Sequence, residues 1–128
     1  MRFEHHDLSD FPIVRSSARS VRAGYAPQWQ SEMEALIARS EPFIILFEGE
    51  RAEETQEDRK HRGLWLKKNK SPLAAVCKAF ITIEEDDLKR LAVKAQSAMA
   101  EKAFGIPMLV AKEFEEARII ANRLLGLA

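Results

Sequence analysis

Pro42-Phe43-Ile44-Ile45-Leu46-Phe47 is an unbroken apolar run, followed at once by the charged stretch Glu48-Gly49-Glu50-Arg51. A strand with one wet face alternates apolar and polar residues. This run is apolar on both alternating faces, short, and rich in Phe and Ile, so it predicts a strand covered by helices on both sides, the centre of a sheet.

Working outward, Phe11-Pro12-Ile13-Val14 reads as the start of a first strand that extends toward Val21, and Pro12, which cannot donate to a ladder, belongs at its beginning or on an edge. Gly24 breaks the chain, and Pro27 suits the first turn of a helix whose Trp29, Met33, Leu36 and Ile37 recur at helical spacing. Beyond the central run, Thr55-Gln56-Glu57-Asp58 has the spacing of a capping box. The helix it opens carries a thin apolar stripe, Leu64, Trp65 and Leu66, and restarts at Ser71-Pro72, with Ser71 as cap and with Leu73, Val76 and Cys77 directed inward. A third strand, Ala79 to Ile83, follows. Leu88, Leu91, Ala92, Ala95, Met99 and Ala103 then share one helical face, expected to be the buried one, before Gly105 ends the helix. Pro107 opens a last strand, Met108 to Ala111, and Phe114, Ala117, Ile120, Ala121, Leu124 and Leu125 read as the buried stripe of a last helix. Four strands alternating with four helices, one of them kinked, predict an α/β fold: a single domain over residues 1–128 with a four-stranded, mainly parallel sheet and helices on both faces. The longest apolar strands should lie inside and the Pro-led ones outside.

Composition narrows the function classes. With 20 basic and 20 acidic side chains the chain has no net field to draw it to nucleic acid or an anionic bilayer. No apolar run approaches the roughly 20 residues that span a membrane, so no transmembrane segment is expected, and Met1 to Asp7 has no apolar stretch of the secretory kind. Cys77 is the single cysteine. It rules out an internal disulfide, fits a reducing cytoplasmic setting, and reads as a buried, inert thiol. The five glycines form neither a dinucleotide fingerprint nor a P-loop, so no cofactor is expected.

Candidate sites are few. Arg15, Ser17 and Arg19 would share one face of an extended first strand, and guanidinium forks beside hydroxyls suit phosphate or carboxylate, making these the candidate anion or ligand residues; a charged edge strand explains the same residues. Glu48 and Glu50 follow the central strand at the carboxyl edge where open sheets bind ligands, a candidate binding rim, although acids at a helix start also complement its dipole. Trp65, a large aromatic on a polar helix, is the candidate interface anchor. His5 and His6 lie in a terminal segment expected to be solvated, and no metal site is expected from them; His61 stands among Arg59, Lys60 and Arg62 with no catalytic partner.

The apolar strand Phe43 to Phe47, the strand Phe80 to Ile83, and the C-terminal series Glu101-Lys102-Ala103-Phe104-Gly105, Met108 to Ala111 and Glu115-Glu116-Ala117 together resemble the STAS/SpoIIAA-like family over most of the chain. The resemblance implies a non-enzymatic module that binds a partner protein or a small or lipid-like ligand. Family members switched by phosphorylation carry an Asp-Ser-x-Gly loop. Here the corresponding loop, Glu48 to Thr55, has Thr55 as its one hydroxyl amid acids that would repel a phosphate, so the switch is not expected. The expected function is therefore a cytoplasmic binding or regulatory module, acting on a partner protein or on itself as a homodimer. The alternative is a pocket for a small anionic or lipid-like ligand near the strand ends, and an enzyme is the lesser expectation.

Overall fold

The computed structural model describes residues 1–127. Its elements are β1 (Ile13–Ser17) with a single 3-10 turn after it (Ala18–Ser20), α1 (Ala26–Ala38), β2 (Phe43–Glu48), α2 (Gln56–Lys68), α3 (Lys70–Val76), β3 (Cys77–Ile83), α4 (Asp87–Phe104), β4 (Met108–Ala111) and α5 (Phe114–Leu125). The four strands form one wholly parallel sheet in the order β1-β2-β3-β4. The two longest strands are central and the Pro-led ones are the edges, as their composition demands.

β2 is the covered middle strand. Every residue from Phe43 to Phe47 is buried, and alternate side chains feed two cores. Phe43 and Ile45 pack with Trp29, Met33 and Leu36 of α1, Trp65 and Leu66 of α2 and Leu73 of α3. Ile44 and Leu46 pack with Ile81, Ala111 and the α5 residues Ala117 and Ala121. When parallel strands are added in one direction, right-handed crossovers place all the connecting helices on one face. That face holds α1, α2 and α3, while α5, which follows the last strand, covers the other.

Local signals act largely as read, with three corrections. β1 stops at Ser17, because the Ser17 hydroxyl accepts from the Arg19 amide and turns the chain into the 3-10 turn; the expected extension to Val21 does not form. The break between α2 and α3 falls at Asn69, whose side-chain amide donates to the Trp65 carbonyl, rather than at a Ser71 cap. α4 is turned about: Leu88, Leu91 and Met99 are 79%, 65% and 73% exposed, and none of its residues is fully buried. Its half-buried side is Arg90, Val93, Ser97, Ala100, Ala103 and Phe104. Periodicity declares that a helix has an apolar stripe, not what covers it. α4 packs chiefly on the short edge strand β4, which offers little apolar surface to either side of the helix.

Gly49 closes β2 at φ +94, and a Cβ there would lie 2.9 Å from the Ala18 Cβ, so only glycine lets the two strand ends approach. The expected consequence of the packing is a contrast between two leucines. Leu46→Ala should cost roughly 2–5 kcal/mol in urea unfolding, through lost contacts and a cavity, and Leu91→Ala less than about 0.5 kcal/mol. Equal losses would contradict the assignment of inside and outside.

Candidate functional site

Glu32 lies on α1 beside the apolar stripe and is completely buried. Its carboxylate accepts from the Glu4 amide at 2.8 Å, the His5 amide at 2.9 Å, His6 Nδ1 at 2.9 Å and Gln28 Nε2 at 2.9 Å. Burial by itself would raise its pKa; the hydrogen bonds, that from His6 foremost, outweigh burial and hold it at about 2. One buried acid thereby fastens the N-terminal segment to the body. The segment continues along β1, where Asp7 and Arg15 exchange both backbone hydrogen bonds, at 2.8 and 3.1 Å, and the Ser16 hydroxyl donates to the His5 carbonyl. It covers part of the open edge of β1 as a protective strap.

This arrangement overturns the expectation of a solvated terminus. His5 and His6 are 8% and 5% exposed, with His5 Nδ1 2.9 Å from the Ser20 hydroxyl and its ring edge-on to Tyr25. Burial, the largest influence, lowers the His5 pKa. The available signal was Glu32 itself, three residues after Trp29 and beside Met33, an acid placed on the inward stripe of a helix.

Between the strap and the carboxyl ends of β1 and β2 runs an open groove of about 880 Å³, and Arg15, Ser17, Arg19 and Glu48 all line it. Arg15 is already engaged: its Nη2 donates to Glu48 Oε1 at 2.6 Å, and its guanidinium lies 4.1 Å over the Phe114 ring. Ser17 caps the 3-10 turn and Arg19 is exposed. Acids Glu4, Asp7 and Glu48 share the lining with those two arginines, so the groove has no cationic excess. Glu50 does not line it. It pairs instead with Lys89 of α4 at 3.2 Å, so the expected rim of Glu48 and Glu50 is divided between two places. Strands added in chain order never reverse, and without reversal there is no crevice between crossovers running to opposite faces. That explains why the groove is open.

The loop after β2 closes over a second polar cluster. The Tyr25 hydroxyl donates to Glu54 Oε2 at 2.5 Å, and Arg62 clasps the same carboxylate through Nε at 2.7 Å and Nη2 at 3.0 Å. Arg51 stacks 3.7 Å over Phe47. Burial pushes the Tyr25 phenol up to about 12, and burial followed by repulsion from Arg62 brings Arg51 down to about 10. Thr55 caps α2 by accepting from the Asp58 amide, and the Asp58 carboxylate accepts from the Thr55 hydroxyl and from the Gly24 and Ala26 amides at the start of α1, so it ties the two helix starts together. These are latches between elements.

Trp65 is not at the surface. It is 5% exposed, edge-on to Trp29 with centroids 5.4 Å apart, and its indole nitrogen donates to Glu34, so it cannot serve as an interface anchor. Cys77 is buried, and burial drives its thiol up to about 12, an inert state as its apolar neighbours implied. Among the described residues no group of three or more His, Cys, Asp or Glu is disposed to hold a metal ion, and no helix is long and apolar enough to cross a membrane. The large apolar side chains that sequence reasoning sent inward and the fold leaves outside are Leu64 of α2 and Leu124 of α5, 50% and 45% exposed, and above all Leu88, Leu91 and Met99 of α4, flanked by Ala92 and Ala95; Leu124 is thus not part of the buried stripe expected of α5.

Comparison with protein-family models, curated proteins and solved structures gave no match.

The strap makes a measurable pH dependence. Glu32 has its ordinary value of 4.5 when unfolded and about 2 when folded. As pH falls the unfolded chain binds the proton first, so this contribution is complete above about 4.5 and drains away toward about 2. Glu32→Gln should lower stability at neutral pH by roughly 2 kcal/mol. It should also flatten the acid loss between those two values in a denaturant series. An unchanged acid limb would show that Glu32 does not anchor the strap.

Proposed function

We propose that the chain works by contact with another macromolecule rather than by chemistry on a substrate: a binding module whose working surface is the outer face of α4. The observation carrying this reading is the exposure of Leu88, Leu91 and Met99 along one side of an 18-residue helix. A row of large apolar side chains in water is costly and marks an interaction surface when it is contiguous. The polar groups support the same reading, since the candidate acids and bases are tied up in latches: Arg15 with Glu48, Arg62 with Glu54, Glu32 with the strap. The order of strands and helices resembles STAS/SpoIIAA-like modules, which act through such contacts. A lone buried cysteine fits a reducing cytoplasm.

A photo-crosslinking residue at Leu88 or Met99, introduced in the cell of origin, should give a discrete protein adduct, and the same residue at the exposed Arg123 of α5 should not. Equal labelling at both places, or none at either, would overturn the reading.

A second reading rests on the groove, because Arg15, Ser17 and Arg19, the residues singled out for anions, do converge there. In that case a small anionic or lipid-like molecule should accompany the purified chain in native mass spectrometry and disappear in Arg19→Ala, which removes the exposed guanidinium. A ligand-free wild type would end it.

A further inference from the structure

The stripe on α4 has a symmetry that identifies its occupant. An α-helix turns about 100° per residue, so Leu88, Ala92, Ala95 and Met99 lie within about 60° of one another, and Leu91 and Lys102 extend the row on one side. Placing a second α4 antiparallel across a two-fold axis at Ala95 sets Leu91 opposite Met99 twice over, Ala95 opposite itself, and Leu88 opposite the stem of Lys102. The middle of the row is alanine, which lets two helix backbones approach closely, and the large side chains interlock on either side of it.

The charges follow the same axis. α4 is entered through four consecutive acids, Glu84, Glu85, Asp86 and Asp87, and carries Lys102 in its last turn. Asp86 caps the helix and Asp87 holds Arg90. Glu85 and Lys102 have no ion-pair partner among the described residues. In the antiparallel arrangement Lys102 falls within one helical turn of the second copy's Glu85, and the reverse pair forms by symmetry. An anionic bilayer, the other surface that accepts an amphipathic helix, is disfavoured because Glu84, Glu85, Asp86, Asp87 and Glu101 offset Lys89, Arg90, Lys94 and Lys102 and leave the element without the cationic excess such binding needs.

We infer that α4 seats against α4 of a second copy of this chain, antiparallel about Ala95, with Lys102 and Glu85 forming reciprocal ion pairs at its two ends. The inference rests on the reading of this face as a contact surface and names its partner. Such an interface is isologous and closed, so it gives a dimer and not a filament. One helix per copy buries less than a standard interface, so the dimer forms and dissociates with concentration.

The test is sedimentation velocity on the full chain from micromolar to millimolar concentration, together with oxidative cross-linking of Ala95→Cys; Cys77 is buried and does not compete. Wild type should pass from monomer to dimer. Leu91→Glu should weaken the dimer about tenfold or more while leaving urea unfolding unchanged, which separates lost association from lost folding. Lys102→Glu should weaken it and Lys102→Glu with Glu85→Lys should restore it. Ala95→Cys should cross-link in pairs faster than Arg123→Cys. A wild type that stays monomeric throughout, a charge swap that does not rescue, or equal cross-linking at both cysteines would overturn the inference. Photo-adducts at Met99 with a different protein, or flotation with anionic vesicles that Leu91→Glu abolishes, would likewise overturn it. The first of these would still leave α4 a contact surface, so the two readings fail separately.

Discussion

The structure depends on the complete removal of Phe43 to Phe47 from water. A strand apolar on both faces must be enclosed on both, and the chain meets this demand with β1 and β3 at its sides, three helices over one face and α5 over the other. Burying Phe43, Ile44, Ile45, Leu46 and Phe47 supplies a large share of the hydrophobic driving force, at about 1.5–3 kcal/mol for each side chain. The polar latches then fix how the layers sit: Glu32 ties the N-terminal strap to α1, Asp58 joins the starts of α1 and α2, and Glu54 joins Tyr25 to Arg62. Each is a buried acid whose desolvation is offset by three or four hydrogen bonds, an arrangement that would be costly if any partner were removed. The described residues contain no buried side-chain nitrogen or oxygen lacking a partner.

The single direction of the sheet has a consequence for function. Because β1 to β4 are laid down in order, the connecting helices crowd one face, and the last of them, α4, meets the sheet chiefly at its edge strand. There it fastens by its half-buried side and by Glu101, which accepts from the Met108 amide and so blunts one donor of the open edge. Its most apolar side is left facing away. The same monotonic order leaves the carboxyl edge without a crevice, so the open groove beside the strap is shallow ground for a ligand. A fold of this kind offers its neighbours a helix surface more readily than a pocket.

Much of this was legible in the residues. The unbroken Phe43–Phe47 run announced a covered middle strand, Pro12 and Pro107 marked the outer strands, and Thr55 with Asp58 located the start of α2. What escaped has physical causes. Trp65 looked stranded on a polar helix because its partner, Trp29, is distant in sequence, and contacts across such a separation leave no local trace. His5 and His6 were assigned to solvent because nothing local binds them; their anchor, Glu32, is on another element. For α4 the period was right and the facing wrong, since 3.6-residue spacing is the same whether a stripe meets a core or a partner. The candidate cluster Arg15, Ser17 and Arg19 does converge on one groove, although the extended strand expected to align it ends at Ser17.

The most direct test is solvent paramagnetic relaxation of side-chain methyl groups, measured with a soluble nitroxide on dilute protein. The expected result is strong broadening for Leu88, Leu91 and Met99 and almost none for Ile44, Leu46 and Ile81. Methyl groups of Leu88, Leu91 and Met99 as protected as that of Leu46 would mean that α4 turns its apolar side to the core, and would contradict both the packing described and the surface built on it.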